Sequence, residues 1–151
     1  MSIAFITAAS ENDLVRLQQL KDCEVSSISK EDAVRAIKYA IQYDALHSVG
    51  WILSNYKGLM TGTFLFAMCE RACIDKASRS VLECLLDALL DIRNWSTVKR
   101  YLDEHWDAED AATVYSICDQ RQQAKLMLLI GLSERSGLPD DVIRLIVRSV
   151  K

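Results

Sequence analysis

Cys69 and Cys73 stand four residues apart in "AMCERACI", a spacing that puts both thiols on one face of a helix. Two such thiols are half of a structural zinc site, which needs four ligands and usually takes them from short C-x-x-C knuckles. Cys23, Cys84 and Cys118 form no knuckle, and neither His47 nor His105 is near a cysteine in sequence. No metal site is expected. A thiol nucleophile needs a His partner and a local signature, and none surrounds any of these cysteines. The five thiols read instead as reduced side chains of an intracellular, cytoplasmic protein, with all but Cys23 buried inside apolar helical patterns.

Carboxylates are the next candidates for chemistry. "DEHWDAED" gathers Asp103, Glu104, Asp107, Glu109 and Asp110, a set able to pair for acid–base work or to hold a cation. The same residues fit a solvated helix junction, where carboxylates cap the following helix, and this is the expected role. No glycine-rich phosphate loop exists, so no cofactor is expected, and without a clustered His, Cys and carboxylate constellation the chain reads as no enzyme. A formal charge of -3 and a pI near 5.4 argue against nucleic acid as a partner. The longest apolar run, Leu126 to Leu132, is far short of the ~20 residues that span a bilayer. "MSIAFITAAS" lacks the Lys or Arg that opens a secretory signal, so no membrane partner or leader is expected.

What remains is contact with another protein. Large aromatics dominate binding hot spots, which singles out Trp51, Trp95 and Trp106 together with Tyr39 and Tyr43. The two tyrosines are four apart and offset from the apolar Ile37, Ala40 and Ile41 face, so at least one is a candidate for exposure. The tail "GLPDDVIRLIVRSVK" adds Leu138, Pro139, Val142, Ile143 and Ile146.

These residues must be positioned by helices. One Pro and five Gly in 151 residues are too few for the many turns of a sandwich, barrel or doubly wound sheet. The fold class is all-α, in a single domain over residues 1–151. "SKEDAVRAIKYAIQYD" opens with Ser29 as N-cap and repeats Ala33, Ile37, Ala40 and Ile41 at helical spacing. "DLVRLQQL", "ALHSVGWILSNY" and "STVKRYLDEHW" show the same period. "TFLFAMCERACI" and "SVLECLLDALLDI" are apolar nearly all round, which predicts interior helices. "DAEDAATVYSICDQ" and "RQQAKLMLLIGL" predict a further pair, with Gly131 and Gly137 bracketing a loop before the tail. Nine or ten short antiparallel helices follow, as stacked helical hairpins or as a compact bundle.

Sliding the chain so that Ala8 falls on Ala40 also lays Leu14, Leu17 and Leu20 over Leu46, Val49 and Ile52. A third copy is reached from the second by a longer slide, which carries Val49, Ile52 and Leu53 onto Val98, Tyr101 and Leu102, so the period is uneven. "AASENDLVRLQQL", with Asn12, Asp13 and Leu14 at its turn, and "AIQYDALHSVGWIL" resemble the ankyrin-repeat family, whose unit is a helix pair of ~33 residues. The family's Thr-Pro-Leu-His helix start is absent, so its binding loops are not carried over. Leu138, Pro139, Asp141, Val142 and Ile146 resemble the Leu-Pro-x-Asp opening of F-box motifs and of the PRANC segment of viral ankyrin proteins. That resemblance implies a viral or effector adaptor that engages a host protein through a ubiquitin-ligase adaptor.

Read without any family, the tail is a well-started helix. Pro139 suits the first helical position, Asp140 and Asp141 suit the positive end of the dipole, and Arg144 and Arg148 suit the other end. Its apolar arc, from Ile143, Ile146, Val147 and Val150 out to Val142 and Leu145, is wide for a surface helix. It is either wedged in the core or packed on one side, with the other side meeting a partner. The function read from these residues is a non-enzymatic protein–protein interaction module. The alternative is a structural module that self-associates into a homo-oligomer through its C-terminal helix.

Overall fold

The computed structural model describes residues 3–23, 28–137 and 139–149. It is all-helical, with nine α-helices and no strand among the described residues. The chain forms two compact units, Met1–Tyr101 and Leu102–Lys151.

Unit 1 is a row of three helical hairpins: α1 (Ile3–Ser10) with α2 (Leu14–Asp22), α3 (Lys30–Gln42) with α4 (Leu46–Asn55), and α5 (Gly62–Ile74) with α6 (Arg79–Ile92). First helices pack on first helices, α1 on α3 and α3 on α5, while second helices pack α2 on α4 and α4 on α6. Within this unit the hairpins stack rather than form a bundle. A 3-10 turn, Lys57–Leu59, joins the second hairpin to the third, where "NYKGLMTG" breaks the helical pattern.

Each hairpin turns in the same way, because each first helix ends on a residue in the left-handed region. Those residues are Asn12 (φ 60°), Asp44 (φ 56°) and Lys76 (φ 52°). After each of them a backbone N–H reaches back to a carbonyl of the helix just ended: Asp13 to Ala8 at 3.0 Å, Ala45 to Ala40 at 2.7 Å and Ala77 to Ala72 at 2.9 Å. These are Schellman closures, which satisfy carbonyls that a helix end otherwise leaves open. The three turn residues are evenly spaced along the chain, so the period is constant and the third copy is α5–α6, not the segment at Val98. The buried positions keep the same step: Phe5, Ile37 and Cys69; Ala8, Ala40 and Ala72; Leu17, Val49 and Val81. The alanine row lets neighbouring first helices approach closely.

The helix starts are capped in sequence order, by Asp13 for α2, Ser29 for α3, Thr61 for α5 and Ser78 for α6. Helix α4 is the exception, since its N-cap is Ala45, which has no acceptor. Asn12 of the preceding hairpin supplies one: its Oδ1 accepts the Ser48 N–H at 2.9 Å. Asp44 Oδ1 accepts the Ser78 N–H at 2.8 Å, which links the second hairpin to the third in the same way. The equivalent Lys76 has no side-chain acceptor, so this relay stops at the third hairpin.

α7 (Trp95–His105) begins at an Asn94 cap and carries the boundary between the units. In unit 2, α8 (Ala108–Ser136) is one helix of 29 residues where the sequence predicts a pair. No Gly or Pro separates Asp119 from Arg121, and Gly131 lies within the helix rather than in a loop. Gly137, at φ 62°, ends it. α9 (Asp140–Ser149) is a helix and packs back on α8. Pro139 stands just before it, at the N-cap, its carbonyl accepting the Ile143 N–H at 3.2 Å.

Candidate partner-binding face

Because α1, α3 and α5 repeat at one constant step, equivalent positions form rungs across unit 1: Thr7, Tyr39 and Arg71 on one, and Glu11, Tyr43 and Asp75, just past the helix ends, on the next. Tyr39 and Tyr43 are 44% and 62% exposed, and their rings stack with centroids 6.5 Å apart and planes 11° from parallel. Four-residue spacing on α3 places them side by side, while Ala36, Ile37, Ala40 and Ile41 hold the opposite face in the core. Stacking pre-orders both rings, which lowers the entropic cost of any contact they make.

A cleft of about 380 Å³ opens between α3 and α5, lined by Lys38, Ala67, Met68, Glu70, Arg71, Ile74 and Asp75. Met68 is buried, whereas Ile74 is 67% exposed. Arg71 Nε lies 3.4 Å from Asp75 Oδ2, an i,i+4 pair along α5. The arrangement offers apolar contact, two phenolic hydroxyls and charges of both signs, which suits recognition of a polypeptide and contains no nucleophile–base pair. The tyrosines are legible in the sequence, whereas the cleft is not. One repeat step from Tyr39 lands on Arg71, a move that needs the third repeat to be known.

The other predicted contact residues are dispersed. Trp51 is half-buried; its ring lies 6.2 Å from both Phe5 and Tyr56, and its Nε1 donates to Gln18 Oε1 at 3.3 Å. It joins the first hairpin to the second, and burial there pushes the Tyr56 phenol up. Trp95 is half-buried at the start of α7, and Trp106, also half-buried, has an indole Nε1 without a hydrogen-bond partner among the described residues. On the tail, Pro139 and Val142 are exposed and Ile143 is fully buried, so the helix is packed on one side. Leu138 lies outside the described residues, as does the side chain of Ile146.

Cys69 is buried as expected, but Cys73, Cys84 and Cys118 are only half-buried, because they fall at the edges of their helix faces, and Cys23 is exposed. Burial, then the neighbouring Cys73, pushes the Cys69 thiol well above its ordinary value. Burial, then Asp87, raises the Cys84 thiol. No group of three His, Cys, Asp or Glu among the described residues is placed to hold a metal ion. In the acidic run, Asp107 caps α8, its Oδ1 accepting the Asp110 N–H at 2.8 Å, and Asp103 accepts a hydrogen bond from the Tyr115 hydroxyl.

No family model matches the chain, and no curated protein or solved structure matches it either.

Proposed function

We propose that this chain is a non-enzymatic protein-interaction module, an adaptor that presents the outer side of α1, α3 and α5 to a partner protein. The observation that carries the reading is the exposed, stacked Tyr39–Tyr43 pair, together with the α3–α5 cleft to which α3 contributes Lys38. The helix-pair unit and its constant step support an ankyrin-like reading of the hairpins. Five free thiols support an intracellular place of work. Tyr39→Ser with Tyr43→Ser tests the proposal: the helical spectrum stays unchanged, and a partner captured by the natural chain is lost. Hot-spot tyrosines of this kind are each worth about 2 kcal/mol, or roughly 30-fold in affinity. Retention of the partner by the doubly substituted chain refutes the face.

A second reading, self-association through the C-terminal hairpin, is favoured by one observation. α8 exposes Leu126, Met127 and Ile130, and α9 exposes Val142 and Leu145, more apolar surface than a two-helix hairpin normally leaves in water. Light scattering decides it: a mass at a multiple of 17.0 kDa that falls to the monomer on Leu145→Asp supports the reading. A monomeric natural chain removes it.

A further inference from the structure

The face proposed above carries a charge pattern that its own residues leave unanswered. Lys38 on α3 and Glu70 on α5 hold the same position in successive hairpins, and both line the cleft. Neither takes an ion-pair partner among the described residues, although Arg71 and Asp75 beside them are paired. The apolar side chains of Ala67, Met68 and Ile74 line the same hollow, of about 380 Å³, room for an apolar side chain or two. A cation from α3 and a carboxylate from α5 on one apolar hollow complement a segment that presents carboxylate, apolar anchor and cation.

The spacing selects the form of that segment. Packed helices lie roughly 8–10 Å apart, so equivalent positions on α3 and α5 are separated by about that distance. Along an α-helix, residues seven apart are separated by roughly 10.5 Å, share a face, and have a residue three or four along between them. A rim of both signs offers no run of cations for a phosphate backbone, and α3 also carries the stacked tyrosines, which add amphipathic contact.

Resting on the interaction-module reading, we propose that the occupant is an amphipathic helix of a partner protein. It carries an acidic and a basic residue seven apart with an apolar anchor between them. The helix lies across α3 and α5 with its acid at Lys38, its base at Glu70 and its anchor in the cleft.

The test is selection of helical peptides of roughly 16 residues, about four turns, from a displayed random library. Three chains are used: the natural one, Lys38→Glu with Glu70→Lys, and Tyr39→Ser with Tyr43→Ser. All substitutions are at helix surfaces, and circular dichroism checks that each chain is folded. The natural chain should enrich acid, apolar anchor and base at this spacing in one fixed order, and the charge-swapped chain should enrich the opposite order. Reversing the charges of a selected peptide should weaken its binding roughly three- to tenfold, as expected for two exposed ion pairs. Peptides without the spacing, or the same order from both chains, overturn the proposed occupant. If those peptides are still lost on the tyrosine variant, the face itself stands. Peptides indifferent to the tyrosines, or no enrichment at all, overturn the face as well.

Discussion

Ser48 contributes two polar groups to one buried spot, and only one of them is satisfied. Its backbone N–H donates to Asn12, while its hydroxyl, fully buried, has no hydrogen-bond partner among the described residues. An orphaned buried hydroxyl costs about 1–3 kcal/mol, and alanine keeps the backbone bond and favours the helix. Ser48→Ala should therefore stabilise the chain by about 1 kcal/mol in urea unfolding; a loss of that size would mean the hydroxyl is satisfied. Tyr115 shows the opposite situation. Its hydroxyl donates to the Asp103 carboxylate, and that bond, with smaller contributions from burial and the Asp103 charge, pushes the phenol up to about 12 from its ordinary 10.0. The folded chain thus holds this proton more tightly than the unfolded chain does. The stabilisation is complete below pH 10 and is lost as pH rises towards 12. Asp103→Asn should return the phenol to its ordinary range in a spectrophotometric titration, and an unmoved titration would mean that the bond is not made in solution. The caps at Ser29 and Asp107 could be read from the sequence, because a cap acts within three residues of itself. Asn12 as the cap of α4 could not, since its donor lies 36 residues away.

Helix existence was legible almost everywhere, because the apolar period is a local property. Helix ends were less so. Gly131 marks a loop by residue type, yet it sits inside α8, where an added Cβ would meet nothing within 4 Å. Glycine in a helix interior is about 0.8–1 kcal/mol worse than alanine. Gly131→Ala should raise stability by about that amount with full helicity retained; no gain would restore the loop expected between Gly131 and Gly137, before the tail. Helices α5 and α6 were expected to be interior from their apolar content. They are instead amphipathic members of the third hairpin, with Glu70 and Ile74 on the surface of α5 and Asp87 and Asp91 on that of α6. Composition measures how apolar a helix is, not how many neighbours it has.

At the scale of the molecule, a row of hairpins is stabilised by its neighbours alone, so damage should stay local. Asn12 holds a left-handed turn and caps α4. Asn12→Ala loses both, at about 2 kcal/mol from the strained backbone and the missing cap. Hydrogen exchange should then quicken in α1, α2 and the start of α4, with α5 and α6 still protected; uniform quickening would mean that unit 1 opens as a whole. The all-α class followed from the sequence alone, through scarce Gly and Pro and a helical period that needs only nearby residues to be seen. The likeness of the first two copies was legible for the same reason. The third copy was not, because what repeats is a backbone turn and a buried volume rather than residue types: Lys76 stands where Asn12 does, and Cys69 where Phe5 does. Only the tertiary structure decided that Tyr39 and Tyr43 face solvent while Trp51 is taken up between hairpins. Exposure depends on which distant helix covers a side chain, and no local pattern carries that information.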